Sequence, residues 1–437
     1  MTNPITILGA GLAGCEAAWQ LAETGIAVTL VEQKPTQKSP AHQSDDFAEL
    51  VCSNSLRSDR PENAAGLLKS EMRKLNSLII QTADETAVDA GGALAVDRAG
   101  FAKQVTDKLR NHPLITIESR EATAIPNGVV IIATGPLTSD GLATAIGTKT
   151  GGDFLHFFDA AAPIVSFDSI DLSRAYFAAR YDKGTPDYLN CGMTREEYQT
   201  FYQALIQAET APVHAFEQHM VFEGCMPVEV MAARGVDTLR FGPLKPVGLD
   251  HPETKERYYA VVQLRRDNVT GTMYNLVGFQ TRLTFGAQKR VFSMIPGLEN
   301  AEFLRYGVMH RNTYMDSPRL LDRYYRLKSD PRIRFAGQIT GVEGYVESAA
   351  SGLLCALETA RQLQNQPPID FPQQTAIGAL ALYASDESVG NFQPMNVNFG
   401  IIPPLEERIK NKQERNLAIA NRSLAWFDDF AKKENLS

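Results

Sequence analysis

A chain of 437 residues with 44% hydrophobic and 22% charged content is long enough to bury more than one core and too apolar to be dominated by disorder. Its formal net charge of −8 counts, taken whole, against a nucleic-acid partner, because phosphate affinity comes from clustered Lys and Arg. No apolar run approaches the ~20 residues that span a bilayer, so no membrane association is expected. A strand pattern beginning at Ile5 leaves no room for a secretory signal, and a cytoplasmic location is expected. The five cysteines, Cys15, Cys52, Cys191, Cys225 and Cys355, are widely spaced with no CxxC. That spacing argues against a disulfide framework, a thiol redox pair or a zinc site, and no metal is expected.

In chain order, the opening "ITILGAGLAGCEAAWQLAETGIAVTLVEQKP" reads strand, glycine turn, helix, strand. Ile5–Leu8 is short and apolar, Ala13, Ala17, Ala18 and Leu21 recur at helical spacing, and residues 27–32 form a second buried strand ending at Glu32. This is a βαβ unit, the signature of a doubly wound parallel sheet. A polar loop follows to about residue 62, then helical stretches over 63–80 and 94–109. "GVVIIATGP" (128–136) is an apolar strand ending at Gly135. From about 166 the pattern changes to short alternating strands with hairpins, richer in Tyr, Pro and Arg. Strand, glycine turn and helix return at "IRFAGQITGVEGYVESAASGLLCALETA" (333–360). The expected architecture is α/β: a discontinuous Rossmann-like FAD-binding domain (1–165 and 330–437, with C-terminal helices) carrying an inserted domain of mixed α+β structure (166–329).

Gly9-Ala10-Gly11-Leu12-Ala13-Gly14 fits GxGxxG at the strand-to-helix turn. Gly9 permits the tight turn, Gly11 lets backbone approach a pyrophosphate, and Gly14 lets helix and strand pack closely. Glu32, at the end of the second strand, is placed to accept from ribose hydroxyls. The strand ending in Ala-Thr-Gly135 and the late turn Gly337-Gln338-Ile-Thr-Gly341 point to FAD rather than NAD. A late helix N-terminus of that kind meets the flavin edge where negative charge develops on reduction. No second GxGxxG occurs, so a nicotinamide cofactor would bind without its own fingerprint.

Cys15 and Cys355 lie among Ala and Leu on helical stretches and read as core, while Cys191 is undecided. Cys52, in "AELVCSNSLRSD" (48–59), and Cys225, in "VFEGCMPVE" (221–229), sit instead in polar or Gly/Pro-flanked turns. Residue pattern alone leaves them open between reactive thiols and unreactive, semi-buried ones. From Arg305 to Arg334 eight Arg or Lys face three acids, interleaved with Tyr306, Tyr314, Tyr324 and Tyr325. That stripe reads either as a salt-bridged face or as a surface holding phosphates and stacking an unpaired base.

"GAGLAGCEAAW", "AELVCSNSLRSD", "GGALAVDR", "DYLNCGM", "GPLKPVGL", "VMHRNTY" and "GVEGYVESAASG" together resemble the folate-dependent tRNA (uracil-5-)-methyltransferases, along nearly the whole chain. The first motif alone is also similar to the related, longer flavoprotein family that modifies the wobble uridine. The resemblance implies methylation of uridine 54 in the T-loop, with 5,10-methylenetetrahydrofolate as one-carbon donor, FAD as carrier and reductant, and NAD(P)H as electron source. It implies tRNA, through its T-arm, and folate as partners, with no stable protein partner. It makes Cys52 and Cys225 the catalytic cysteines, with Cys225 expected as the uracil C6 nucleophile and Cys52 as its partner near the flavin. It raises His310, Arg311 and Tyr314 as RNA-facing residues and Tyr345 as a residue stacking near flavin or folate. The competing expectations are the wobble-uridine-modifying relative, a flavin-bearing RNA-binding or chaperone protein, and a small-molecule flavin reductase.

Overall fold

Five short strands form an all-parallel sheet in the order Ile333–Phe335, Val130–Ile132, Ile5–Leu8, Val28–Glu32, Ile115–Ser119. The computed structural model describes residues 4–39, 41–151, 155–160, 162–211, 226–307, 309–389 and 392–434, and for 155–160, 309–313, 431 and 434 the backbone only. Val130, Ile131 and Ile132 are wholly buried, as expected of a parallel strand covered on both faces. The central strand Ile5–Leu8 has its chain neighbour Val28–Glu32 on one side and the late strand Val130–Ile132 on the other. That reversal of direction opens a crevice at the strands' carboxyl ends, where open α/β sheets bind ligands.

Helix Leu12–Glu23 leaves the first strand and packs against the long helix Tyr345–Leu363. Contact is at backbone distance: a Cβ on Gly352 would lie 2.2 Å from the Ala13 carbonyl oxygen. The helical stretch expected over 63–80 is two helices, Ala64–Lys74 and Leu78–Glu85. The break falls where Asn76 takes a φ of 53° and the Ser77 hydroxyl accepts from the Ile80 N–H, capping the second helix. Residues 94–109 also divide, into strand Ala93–Val96 and helix Arg98–Arg110, because Asp97 caps the helix by accepting from the Gly100 N–H at 2.6 Å.

A second, six-stranded antiparallel sheet runs in the order Ala175–Phe177, Tyr188–Met193, Ala260–Arg266, Met273–Leu276, Ile164–Ser166, Phe303–Arg305. With helices Arg195–Ile206, Val228–Ala233 and Phe285–Phe292 it encloses its own core around Tyr198, Phe201, Phe279 and Phe292. An antiparallel ladder between Leu155–Ala160 and Met309–Tyr314 joins the two parts of the chain. The expected boundaries at 165/166 and 329/330 compare with these elements as follows. The first falls inside strand Ile164–Ser166, and Met315, Leu321, Tyr325 and Leu327 already pack in the parallel sheet's core.

Candidate active site

The glycine loop follows from steric demand at each position. Gly9 has a φ of 94°, and a Cβ there would meet the Ala133 carbonyl oxygen at 2.7 Å. A Cβ on Gly14 would lie 1.8 Å from the Gly9 carbonyl oxygen, so only glycine lets the helix begin this close to the strand. Gly11 differs: no atom lies within 4 Å of where its Cβ would be, so its open side faces free space at the N-terminus of Leu12–Glu23. Glu32, nearly buried, accepts from the Ala10 N–H at 2.7 Å and the Lys34 N–H at 3.0 Å. Its carboxylate therefore braces the glycine loop and ends at the same cleft.

That cleft, open to solvent, has a cavity volume of about 160 Å³ and is lined by Gly9, Ala10, Gly11, Leu12, Ala13 and Glu32 from the first βαβ unit. Gly135 comes from the strand Val130–Ile132 side, and Gly337, Gln338 and Tyr345 from the late turn and helix. Gly337 has a φ of 86° and donates its N–H to the Ser351 hydroxyl at 2.7 Å, while Gln338 donates to Glu343 at 2.6 Å. Gly14 and Gly341 do not line it. Gly14 acts in packing, and Gly341 makes a left-handed turn against the Phe392 ring, which a Cβ would meet at 2.4 Å. The residues fit a dinucleotide: an unfilled space over Gly11 at a helix N-terminus, a terminal carboxylate, and a second helix N-terminus at Gly344. Sequence reading missed His42, Thr134 and Arg120 in the lining, because they come from loops without periodicity. His42 shares a 2.6 Å hydrogen bond with Ser39, and burial, then the Lys34 charge, lower its pKa and favour the neutral ring.

Cys52 is partly exposed, and its polar loop is pinned. Tyr345 lines the cleft while its hydroxyl accepts from the N–H groups of Cys52 at 2.7 Å and Ser53 at 3.3 Å. Burial, then the nearby Cys52, raises the Tyr345 pKa, keeping the phenol protonated. Arg98 donates to the Leu50 carbonyl, Arg305 to the Val51 carbonyl at 2.8 Å, and Arg265 to the Ser53 hydroxyl at 2.7 Å. Cys225 lies outside the described residues. Cys15, Cys191 and Cys355 are buried, and burial pushes the thiols of Cys191 and Cys355 up to about 12, as inert core cysteines require.

The basic stripe is not one open face. Arg319, Arg323, Arg326, Lys328 and Arg332 are ion-paired with Asp316, Asp370, Asp322, Glu387 and Asp330. Arg334 is buried on Gln362, and Arg305 is committed to Val51. Tyr314 is buried, with its ring against Phe392. The backbones of His310 and Arg311 sit in the ladder with Leu155–Ala160, and their side chains lie outside the described residues.

A parallel doubly wound sheet with a glycine loop, a terminal carboxylate and a late glycine turn around one cleft defines a Rossmann-type dinucleotide-binding flavoprotein fold. The family model for Glucose inhibited division protein A matches residues 4–367. Aquifex aeolicus GidA superposes with a TM-score of 0.71 over 98% of this chain and 73% of that one, at 15% identity, a likeness of fold alone. Two relatives named methylenetetrahydrofolate--tRNA-(uracil-5-)-methyltransferase TrmFO are far more similar. The Enterococcus faecalis protein is 57% identical over 97% of this chain and 98% of its own length. The Desulfitobacterium hafniense protein is 58% identical over 99% of this chain and 100% of its own length. The chain belongs to this family of methylenetetrahydrofolate--tRNA-(uracil-5-)-methyltransferases, within the wider Glucose inhibited division protein A family.

Proposed function

We propose that this protein methylates C5 of uridine 54 in the tRNA T-loop, using 5,10-methylenetetrahydrofolate as one-carbon donor and NAD(P)H as electron source, with FAD in the cleft. One observation carries the reading beyond kinship: Tyr345 lines the nucleotide cleft and its hydroxyl holds the backbone of Cys52, so a candidate catalytic thiol is tied to the cofactor site. Gly11 and the N-terminus of Leu12–Glu23 would hold the pyrophosphate, Glu32 the ribose, and Gly337 with Gln338 the distal part of the cofactor. When bound, FAD supplies the redox chemistry and carries the one-carbon unit.

Uracil C5 is a poor nucleophile until a thiolate adds to C6 and makes an enolate. We assign that addition to Cys225, by its place in the motif shared with the family. The enolate bonds through C5 to the one-carbon unit. A base then removes the C5 proton as the bond from that carbon to its carrier breaks, leaving an exocyclic methylene, and hydride addition to the methylene expels the thiolate from C6 and restores the ring. Conversion of the transferred CH2 to CH3 consumes one hydride equivalent, drawn ultimately from NAD(P)H. Cys52, set beside the cleft by Tyr345, serves as the second thiol, guarding the reactive centre or moving a proton there. Action on tRNA gives a cytoplasmic location, and no helix among the described residues is long and apolar enough to cross a membrane. Pairing and core membership favour a cofactor-binding part of residues 1–160 and 309–437 and an inserted part of 162–307.

The test gives the purified protein an unmodified tRNA transcript and NADPH, with carbon-labelled methylenetetrahydrofolate or labelled S-adenosylmethionine as donor. Label from folate at uridine 54 is expected. Label from neither, on a protein that still holds flavin, would leave the fold standing and remove the substrate assignment.

A further inference from the structure

We propose that Arg305, Arg265 and Asp267, all on or beside strands of the six-stranded sheet, are positioning residues for Cys52, whose neighbour Val51 and backbone partner Tyr345 line the cleft of the other sheet. The inference rests on the function proposed above and goes beyond it by naming what sets the thiol in place.

The loop 50–54 is held residue by residue from both sides. From the parallel-sheet side, Tyr345 takes the Cys52 and Ser53 N–H groups, and Asn54 is wholly buried with its side-chain amide on the Val96 carbonyl at 2.9 Å. From the other side, Arg305, at the end of strand Phe303–Arg305, reaches the Val51 carbonyl at 2.8 Å. Arg265, on strand Ala260–Arg266, donates to the Ser53 hydroxyl at 2.7 Å and to the Asn54 side-chain oxygen at 3.1 and 3.3 Å. The Asn54 amide also reaches the Arg266 carbonyl at 3.1 Å. Asp267, 1% exposed, takes Arg98 in a two-point ion pair at 3.0 and 3.2 Å, and Arg98 in turn holds the Leu50 carbonyl.

Bidentate geometry fixes a guanidinium in orientation as well as distance, which makes Asp267 a rigid anchor for Arg98 rather than a loose counter-ion. Tyr345 takes the two N–H groups, while the Leu50 and Val51 carbonyls that precede Cys52 are held by Arg98 and Arg305, and the Ser53 and Asn54 side chains that follow it by Arg265. A thiol misplaced by 1 Å loses the near-attack geometry on which its rate depends. The six-stranded sheet thus contributes to the active site without touching substrate: its docking places Cys52.

The experiment uses the full-length flavoprotein with Arg305→Met, Arg305→Lys and Asp267→Asn, the last isosteric with the native residue, so that the test does not depend on any one variant folding. Flavin content is checked first, then amide hydrogen exchange of the peptide carrying residues 50–54 without RNA, then kcat and KM for tRNA. Loss of one charge-assisted hydrogen bond corresponds to about a tenfold or greater rise in local opening, so exchange in 50–54 should speed by about that factor in R305M and D267N. Turnover should fall by a similar factor with KM for tRNA within about twofold, and R305K should recover most of it. Unchanged exchange in 50–54 in both R305M and D267N overturns the proposal, as does a loss carried wholly by KM. Exchange is read without RNA, so it judges the positioning even if labelling shows that uridine 54 is not the target.

Discussion

The glycine loop allows two neighbouring substitutions to be separated by their consequences. In Gly14→Ala the new Cβ would lie 1.8 Å from the Gly9 carbonyl oxygen and 3.0 Å from the Gly9 carbonyl carbon. Carbon and oxygen settle at about 3.3 Å or more, so the helix would have to retreat by roughly 1.5 Å. The far side offers no room, because Gly352 on the long helix is already at backbone distance from Ala13. Overpacking between backbones on both sides costs about 3 kcal/mol, a large part of a typical folding free energy. In Gly11→Ala the backbone is extended at φ −74° and nothing lies within 4 Å of the new methyl, so stability should hold within about 0.5 kcal/mol. The methyl instead fills the space through which a pyrophosphate reaches the helix N-terminus. Losing one charge-assisted contact of about 2 kcal/mol weakens FAD about 30-fold. Thermal unfolding of the flavin-free proteins and titration with FAD, followed by flavin fluorescence, read the two effects apart. Gly14→Ala should melt several degrees lower, and Gly11→Ala should melt like the parent but bind FAD poorly. A Gly11→Ala protein with parental FAD affinity would refute the placement of the pyrophosphate.

Two further outcomes test the rest of the structure. Glu71 is wholly buried, accepting from Ser423 Oγ and the Ala376 and Ile377 N–H groups, and burial raises its pKa to about 7 against those hydrogen bonds. A carboxyl raised in the folded state favours folding below its unfolded value of about 4.5 and loses that contribution as pH rises through about 7, a difference of order ~3 kcal/mol. Between pH 5 and 8 the melting temperature of the parent should therefore fall relative to that of Glu71→Gln, and parallel pH profiles would contradict the assignment. Arg332→Ala removes donors to the Pro126 and Gly128 carbonyls and an ion pair with Asp330, so it should cost about 1 kcal/mol of stability and leave RNA affinity unchanged in a mobility-shift titration. A several-fold loss of affinity would restore the stripe as an RNA face.

What could be read from sequence divides by the range of the forces involved. The βαβ unit was legible because most of its determinants are local: Gly14 answers to the Gly9 carbonyl within one turn, and the apolar strands and helix flank it in sequence, while Gly9 also makes room for the distant Ala133 carbonyl. The break at Asn76 was not, since the flanking residues keep helical periodicity across it and the Ser77 cap competes with simple continuation. The basic stripe stayed open between two readings because composition counts charges without showing their partners. Asp370 and Glu387, and the carbonyls of 126 and 128, meet it only after folding. Cys52 shows the same limit most sharply. A cysteine amid Ser, Asn and Arg suggested a flexible loop, but the partners that pin the loop stand 42 to 293 residues away in sequence. The polar character that suggested mobility is what immobilises the loop: a half-buried segment needs partners for the N–H and carbonyl groups it turns inward, and here arginines and a tyrosine hydroxyl supply them. A thiol that needed only burial would have been placed as Cys355 is, among alanines and leucines. Held by hydrogen bonds from both sheets instead, Cys52 keeps a fixed position and an open face together, which chemistry at a cleft requires and core packing cannot give.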